Sequence, residues 1–285
     1  MAKLTNVRLY NTPAVIKRLY PQILWDVQTR EMALYLTFDD GPTPGVTDWV
    51  LDQLKEKNAK ATFFCIGKNV VVHPDLYSRI LAEGHKTGNH TFDHYSFQKV
   101  KFSDYINNVE KAAEVIDSGY FRPPYGKFSR KMVKELQEIN LKTVLWDFLT
   151  YDFEKNFDAE AVLQKMKRHL KPGSIIVFHD SKKAEENLKA LLPLVLEEFL
   201  VKIDPPLQRL ELGIDEFDHV AALDVDQVVV MRFGRGFVAG AAVAEIVAVE
   251  DSGFLEQAHR AVDGGDGDFR IDPARAAMQR LDVGM

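Results

Sequence analysis

Two neighbouring acids, Asp39 and Asp40, stand between the apolar run Ala33-Leu34-Tyr35-Leu36 and a Gly41-Pro42 break. The run reads as a strand and Gly-Pro turns the backbone, so both carboxylates arrive at the mouth of a sheet. Adjacent anions repel and resist joint desolvation. The pair therefore suggests a cation, a shared proton, or a division of labour between base and ligand. A plain turn followed by a helix cap would use the same residue types.

His90 and His94 lie four apart in Gly88-Asn89-His90-Thr91-Phe92-Asp93-His94, at the end of another strand-like run. On one side of a helical turn or tight loop, two such imidazoles can reach one metal. One carboxylate added to them makes a three-ligand set with room for water, the arrangement of a catalytic metal. Arg122 precedes the stiff pair Pro123-Pro124, which holds the backbone extended and fixes how a following N–H is presented. Taken alone, that stretch reads first as a rigid loop with a surface arginine. Ile176-Val177-Phe178-His179-Asp180 is an apolar run that ends in a titratable imidazole, a natural proton donor if it faces the same mouth.

The elements that must position these groups follow one pattern from residue 33 to about residue 202. Short β-rich runs at 33–38, 60–66, 85–91, 120–122, 141–146 and 174–178 alternate with amphipathic helical stretches. This is the signature of parallel βα units, whose sites gather at the carboxyl ends of the strands. Residues 46–57 place Val46, Trp49, Val50 and Leu54 on one helical stripe, and 103–116 do the same with Ile106, Val109, Ala113 and Ile116. Ser129 and Asp158 are N-cap candidates for helices at 131–139 and 159–170, and Pro172-Gly173 ends the second.

Composition bounds the partners. The 285 residues carry a net charge of −6 and a pI near 5.8, which offers no electrostatic footprint for nucleic acid or an anionic membrane. No stretch is long and apolar enough to span a bilayer. Cys65, the one cysteine, has no partner for an intramolecular disulfide and reads as a small buried hydrophobe. No signal-peptide core precedes Lys17 and Arg18, so the chain as written reads as unexported and cytoplasmic. Lys202 is the last lysine, and the stretch beyond it is rich in Ala, Asp, Gly, Val and Arg. That shift suggests an accessory domain, a poorly ordered tail, or a segment not native to the preceding domain, the third being favoured. Gly264 to Asp268 looks superficially like a Ca²⁺ loop but lacks the ligand spacing of one.

Four stretches in order, Thr37-Phe38-Asp39-Asp40-Gly41-Pro42, His90-Thr91-Phe92-Asp93-His94, Arg122-Pro123-Pro124-Tyr125-Gly126 and Ile176-Val177-Phe178-His179-Asp180, resemble the polysaccharide deacetylase family. This is the group that shares the NodB homology domain, also called carbohydrate esterase family four. The resemblance covers about residues 34–200. It implies an α/β fold, a distorted and incomplete (β/α) barrel of about seven parallel strands, with an atypical C-terminal tail. Three segments follow: an N-terminal extension at 1–32 packing on the barrel, the deacetylase domain at 33–200, and the atypical tail at 201–285, lysine-free after Lys202.

Carried over position by position, the resemblance implies that Asp39 is the catalytic base and that Asp40, His90 and His94 are metal ligands. Arg122 would hold Asp39, the Tyr125 backbone N–H would help bind the oxyanion, and His179 would be the general acid. Val177 would line the acetyl-methyl pocket, where the family often has leucine. Near Trp146-Asp147-Phe148-Leu149-Thr150-Tyr151-Asp152-Phe153 the family pattern has two aspartates three apart followed by tryptophan. Here Leu149 and Phe153 replace the first aspartate and the tryptophan, leaving Asp152 as the partner of His179. The implied cofactor is a divalent metal, Zn²⁺ first, with Co²⁺ or Ni²⁺ as substitutes. The implied partner is an N-acetylated glycan, of peptidoglycan or chitin type, deacetylated at the cell envelope or outside the cell, where the family usually acts. The alternatives are an O-acetyl esterase on xylan and a catalytically impaired glycan-binding protein.

Overall fold

Seven parallel strands carry the fold: β1 (Ala33–Asp39), β2 (Thr62–Cys65), β3 (Lys86–Asn89), β4 (Tyr120–Phe121), β5 (Lys142–Thr143), β6 (Phe148–Leu149) and β7 (Ile175–His179). Their spatial order is β5-β4-β3-β2-β1-β7-β6, a curled, incomplete (β/α) barrel. A further strand, β8 (Val230–Arg232), pairs antiparallel with Ala33–Tyr35. The computed structural model describes residues 9–29, 33–199 and 230–232, which belong, Leu9 apart, to one compact unit. The lysine-free tail, β8 excepted, and the first eight residues of the N-terminal extension lie outside the described residues.

The connections are helical: α2 (Val46–Glu56), α3 (Gly67–Val72), α4 (Pro74–Ala82), α5 (Phe102–Ala113), α6 (Arg130–Glu138), α7 (Ala159–His169) and α8 (Glu185–Phe199), with α1 (Ala14–Leu19) ahead of the sheet. Ser129 Oγ accepts from Met132 N at 3.1 Å, and Asp158 Oδ1 accepts from Ala161 N at 3.0 Å, so both helix starts satisfy one of their free N–H groups.

Strand periodicity sorts the side chains into two faces. On β1, Leu34, Leu36 and Phe38 join Phe63, Cys65, Ile176 and Phe178 against the apolar stripes of α2, α7 and α8. The Phe38 ring stacks on Phe63 at 5.1 Å and on Phe178 at 5.5 Å. Each such fully buried side chain contributes about 1.5–3 kcal/mol. The alternate residues turn inward: Tyr35, Phe64, Tyr120, Val144 and Ile175 form a second cluster with Val27. Ascending the same inward rows leads to Thr37 and Asp39 on β1 and to Val177 and His179 on β7. The core that forms the sheet thus also aims its polar residues.

The strand expected at 141–146 is not continuous. β5 is only Lys142–Thr143, and the chain crosses to the opposite edge before pairing again as β6. The carbonyls of Val144 and Leu145, which a longer ladder would have used, instead accept from the Arg122 guanidinium. The gap between the two edges is bridged by the N-terminal segment. Leu24 pairs with Val144, Asn11 with Phe148 and Asp26 with Ser174. At the seam, Val27 N donates to Gly173 O at 2.9 Å, and a Cβ on Gly173 (φ 88°) would stand 1.9 Å from Val27 O. Among the described residues no helix is long and apolar enough to cross a membrane.

Candidate active site

The two acids of the β1 end have separate surroundings. Asp39 completes the inward row and is buried, with Oδ1 accepting from Arg122 Nη1 at 2.7 Å. Asp40 follows the last strand residue in the left-handed region (φ 84°), which redirects its carboxylate. Aspartate tolerates that conformation better than most residues. The Asp40 carbonyl accepts from Asn69 Nδ2 at 2.8 Å, and Gly41 N donates to Asp180 Oδ1 at 3.0 Å.

Arg122 is fully buried at the end of β4. Besides Asp39, its guanidinium donates to Thr37 Oγ1 at 2.7 Å, Val144 O at 3.2 Å and Leu145 O at 3.2 Å, and its carbon lies 3.9 Å above the Phe64 ring. Burial pulls its pKa down and Asp39 pulls it back without cancelling the fall. A surface-arginine reading of this loop is excluded. Among the described residues its one anionic contact is with Asp39, whose carboxylate it fixes.

His90 and His94 meet in a tight loop after β3 rather than on a helix. Thr91 and His94 both have positive φ (63° and 56°), and polar side chains hold the loop there. Asn89 Oδ1 accepts from Thr91 N at 2.8 Å, and Asn108 Oδ1 accepts from Phe92 N and Asp93 N at 2.9 and 3.0 Å. His90 Nδ1 lies 2.8 Å from the Arg122 carbonyl, a contact that requires the proton on Nδ1 and leaves the Nε2 lone pair facing Asp40. Burial, with His94 adding to it, outweighs the pull of Asp39 and Asp40 and takes His90 down to about 4, so this imidazole is neutral. His94 Nε2 stands 3.2 Å and His90 Nε2 3.7 Å from Asp40 Oδ1. Ligating atoms of Asp40, His90 and His94 all lie within 4.8 Å of one another. One carboxylate oxygen and two imidazole nitrogens, one of them tautomer-locked by a carbonyl, fit a divalent cation. For Asp40, burial acts upward but the hydrogen bond from His94 and the charges of His179 and His90 prevail, holding it far below the usual carboxylate range.

His179 ends β7 in register with Asp39 across the β1–β7 pair. Its Nδ1 donates to Asp152 Oδ1 at 2.7 Å, and its backbone N donates to Asp152 Oδ2 at 2.8 Å. Burial works against the imidazolium, yet Asp152, with Asp40 and Asp39 behind it, lifts its pKa to about 9. Phe153 meets the His179 ring edge-on at 5.0 Å, so the side chain at the tryptophan position still packs beside this imidazole. Tyr125 is in the left-handed region (φ 61°), and its exposed ring lies 4.8 Å from His94. Val177 is buried on the inward row between Thr37 and Leu149.

The structure therefore gathers Asp39, Asp40, His90, His94, Arg122 and Asp152 with His179 at one end of the sheet, with Tyr125 against His94 and Val177 one inward step below His179. Several supporting residues escaped the sequence reading. Asn108 was detectable as a polar residue beside Tyr105, Val109 and Ala112 on the buried face of α5. Asn187, which donates to the carbonyls of Asp152 and Glu154 at 2.7 and 2.8 Å, gave no local signal.

Against known proteins, the family profile described as Polysaccharide deacetylase matches residues 26–144. A peptidoglycan-N-acetylglucosamine deacetylase of Bacillus cereus is 34% identical over 182 residues, 62% of this chain and 85% of the relative. The chain belongs to the polysaccharide deacetylase family. Another relative in this family, a second peptidoglycan-N-acetylglucosamine deacetylase of Bacillus cereus, is 38% identical over 152 residues, 51% of this chain. This chain spans 55% of that relative's length, and about a third of the peptidoglycan deacetylases of Listeria monocytogenes that it also matches. A chitooligosaccharide deacetylase of Azorhizobium caulinodans is 34% identical over 163 residues, 54% of this chain and 76% of the relative. Among solved structures, the Bc1960 peptidoglycan N-acetylglucosamine deacetylase superposes with a TM-score of 0.57 at 31% identity, covering 66% of this chain and 91% of that one.

Proposed function

We propose that this polysaccharide deacetylase family member is a metal-dependent hydrolase that removes N-acetyl groups from the N-acetylated sugars of a peptidoglycan-like or chitin-like glycan. The observation that carries the reading is the separation of the two acids. Asp39 is buried against Arg122, whereas Asp40 faces His90 and His94, and His179 stands in register beside them. The names of the relatives supply the substrate class.

Asp40, His90 and His94 would hold the cation, for which we propose Zn²⁺. When bound, it supplies Lewis acidity to the acetamide carbonyl and to water at neutral pH. Asp39, kept in place by the buried Arg122, takes a proton from the attacking water. His179, carrying its proton at neutral pH because Asp152, Asp40 and Asp39 together outweigh burial, donates to the departing amine. The rigid Pro123-Pro124 segment sets the Tyr125 backbone that would help to bind the oxyanion, and Val177 would bound the acetyl methyl. The products are acetate and a free amino sugar.

The test is acetate release by Zn²⁺-loaded protein from a chitooligosaccharide and from a peptidoglycan fragment. Release from either, dependent on Asp39, is expected. A stoichiometrically loaded protein that releases none across a panel of N-acetylated glycans would overturn the reading.

A further inference from the structure

The acid that follows His179 is fully buried, and the chemistry proposed above does not use it. Asp180 N donates to the Asp39 carbonyl at 3.0 Å. Its Oδ1 accepts from Gly41 N at 3.0 Å, and Oδ2 lies 2.5 Å from Thr47 Oγ1, at the start of α2. Thr47 Oγ1 in turn accepts from Thr43 N at 2.7 Å. The Asp180 side chain fills the space beside Gly41 so completely that a Cβ there would stand 2.0 Å from Oδ2. From the other side, Asn69 Nδ2 takes the Asp40 carbonyl at 2.8 Å.

The Asp39 carbonyl and the Gly41 N–H are thus tied to Asp180, directly after β7, and the Asp40 carbonyl to Asn69 on α3. Asp40, between them, is held at φ 84°, a conformation that a non-glycine residue keeps only where its surroundings over-determine it. We propose that Asp180, with Asn69, is a positioning residue that locks the Asp39-Asp40 turn, so that Asp40 faces His90 and His94 while Asp39 stays on Arg122. Asp180 touches neither carboxylate; it acts through the backbone between them. Because it is contiguous with His179, the same contact fixes the spacing between the proposed acid and the proposed base. The inference rests on the metal-site reading but not on the choice of substrate.

The test uses the full chain and Zn²⁺ alone as probe, titrated by calorimetry after chelator treatment. Asp180→Ala is expected to weaken Zn²⁺ binding about tenfold. Asp180→Asn keeps an acceptor for Gly41 N and loses only the acceptor that Oδ2 offers to the Thr47 hydroxyl, and is expected to restore binding to within about threefold of the parent. Asn69→Ala, at a half-buried position, supplies a second break if Asp180→Ala does not fold, and is also expected to weaken binding. Parent-like affinity in folded Asp180→Ala, or in Asn69→Ala where Asp180→Ala is unfolded, would overturn the proposal. So would a parent that binds no Zn²⁺. If the parent binds Zn²⁺ but releases no acetate, the deacetylase reading fails while the positioning role is still decided by the affinities.

Discussion

Removing the charge of Arg122 while keeping its bulk is a direct test of what holds the base. Arg122→Met retains an apolar stem against Phe64 but deletes hydrogen bonds to Asp39, Thr37 and the carbonyls of Val144 and Leu145. Asp39 would be left as a buried carboxylate without its cation. Breaking one side of a buried pair costs about 3–5 kcal/mol. For a domain of this size each kcal/mol shifts Tm by about 2–4 °C, so a fall of roughly 6–20 °C is expected. The assay is thermal unfolding in chelator, so that cation binding does not contribute. Asp39→Asn and the double variant complete a cycle. The double variant is expected to be more stable than the sum of the singles by about 1 kcal/mol or more, because no unpaired charge remains. A fall below about 3 °C in Arg122→Met, or strict additivity in the cycle, would refute the argument that this ion pair fixes Asp39.

Three further outcomes are expected. Asp152→Ala should drop the His179 pKa from about 9 to below its ordinary value, read by NMR titration of the imidazole, since burial is then opposed only by Asp40 and Asp39. The sign also predicts stability: a raised folded pKa stabilises fully below about 6.5, and that contribution is lost as pH rises through about 9. The Tm deficit of Asp152→Ala should therefore be larger at pH 6 than at pH 10, and an equal deficit at both would contradict it. His90→Ala should abolish Zn²⁺ binding while Asp39→Asn keeps the ion and loses acetate release; equal loss of metal in both variants would refute the division between the two acids. Gly173→Ala should destabilise the fold by about 2 kcal/mol or more, through both the φ of 88° and the nearby Val27 carbonyl, checked by urea unfolding.

The site was legible because strand ends in a parallel α/β chain point to one mouth: the acids, the arginine and His179 each sit just past an apolar run, and His90 just past the polar strand Lys86–Asn89. Asp39, His90, Arg122 and His179 could be placed by that rule with no long-range information. What could not be placed was whatever depends on chain crossing. The split of the 141–146 run follows from Arg122, twenty-odd positions earlier, capturing the Val144 and Leu145 carbonyls. The roles of Asn69 and Asn187 follow from backbone groups distant in sequence, and neither leaves a periodicity. Asp152 was reachable because only one aspartate of the expected pair remained beside Phe153, and the structure places it on His179 Nδ1.

The bridging of the sheet edges by the N-terminal segment sets a schedule for the chain during synthesis. Thr12 Oγ1 bonds the carbonyl of Trp146, 134 positions later, and Lys17 pairs with Asp147 across 130. At ~5–20 residues per second, that separation is roughly 7–27 s of translation. During this interval the segment lacks its Trp146 and Asp147 partners, and the growing sheet presents bare edges able to pair with other chains. Contacts of such long range also slow folding once the chain is complete. Recovery of soluble protein should thus depend on how long nascent chains spend in that interval, and co-expressed chaperones should act before residues 173–174 emerge rather than after.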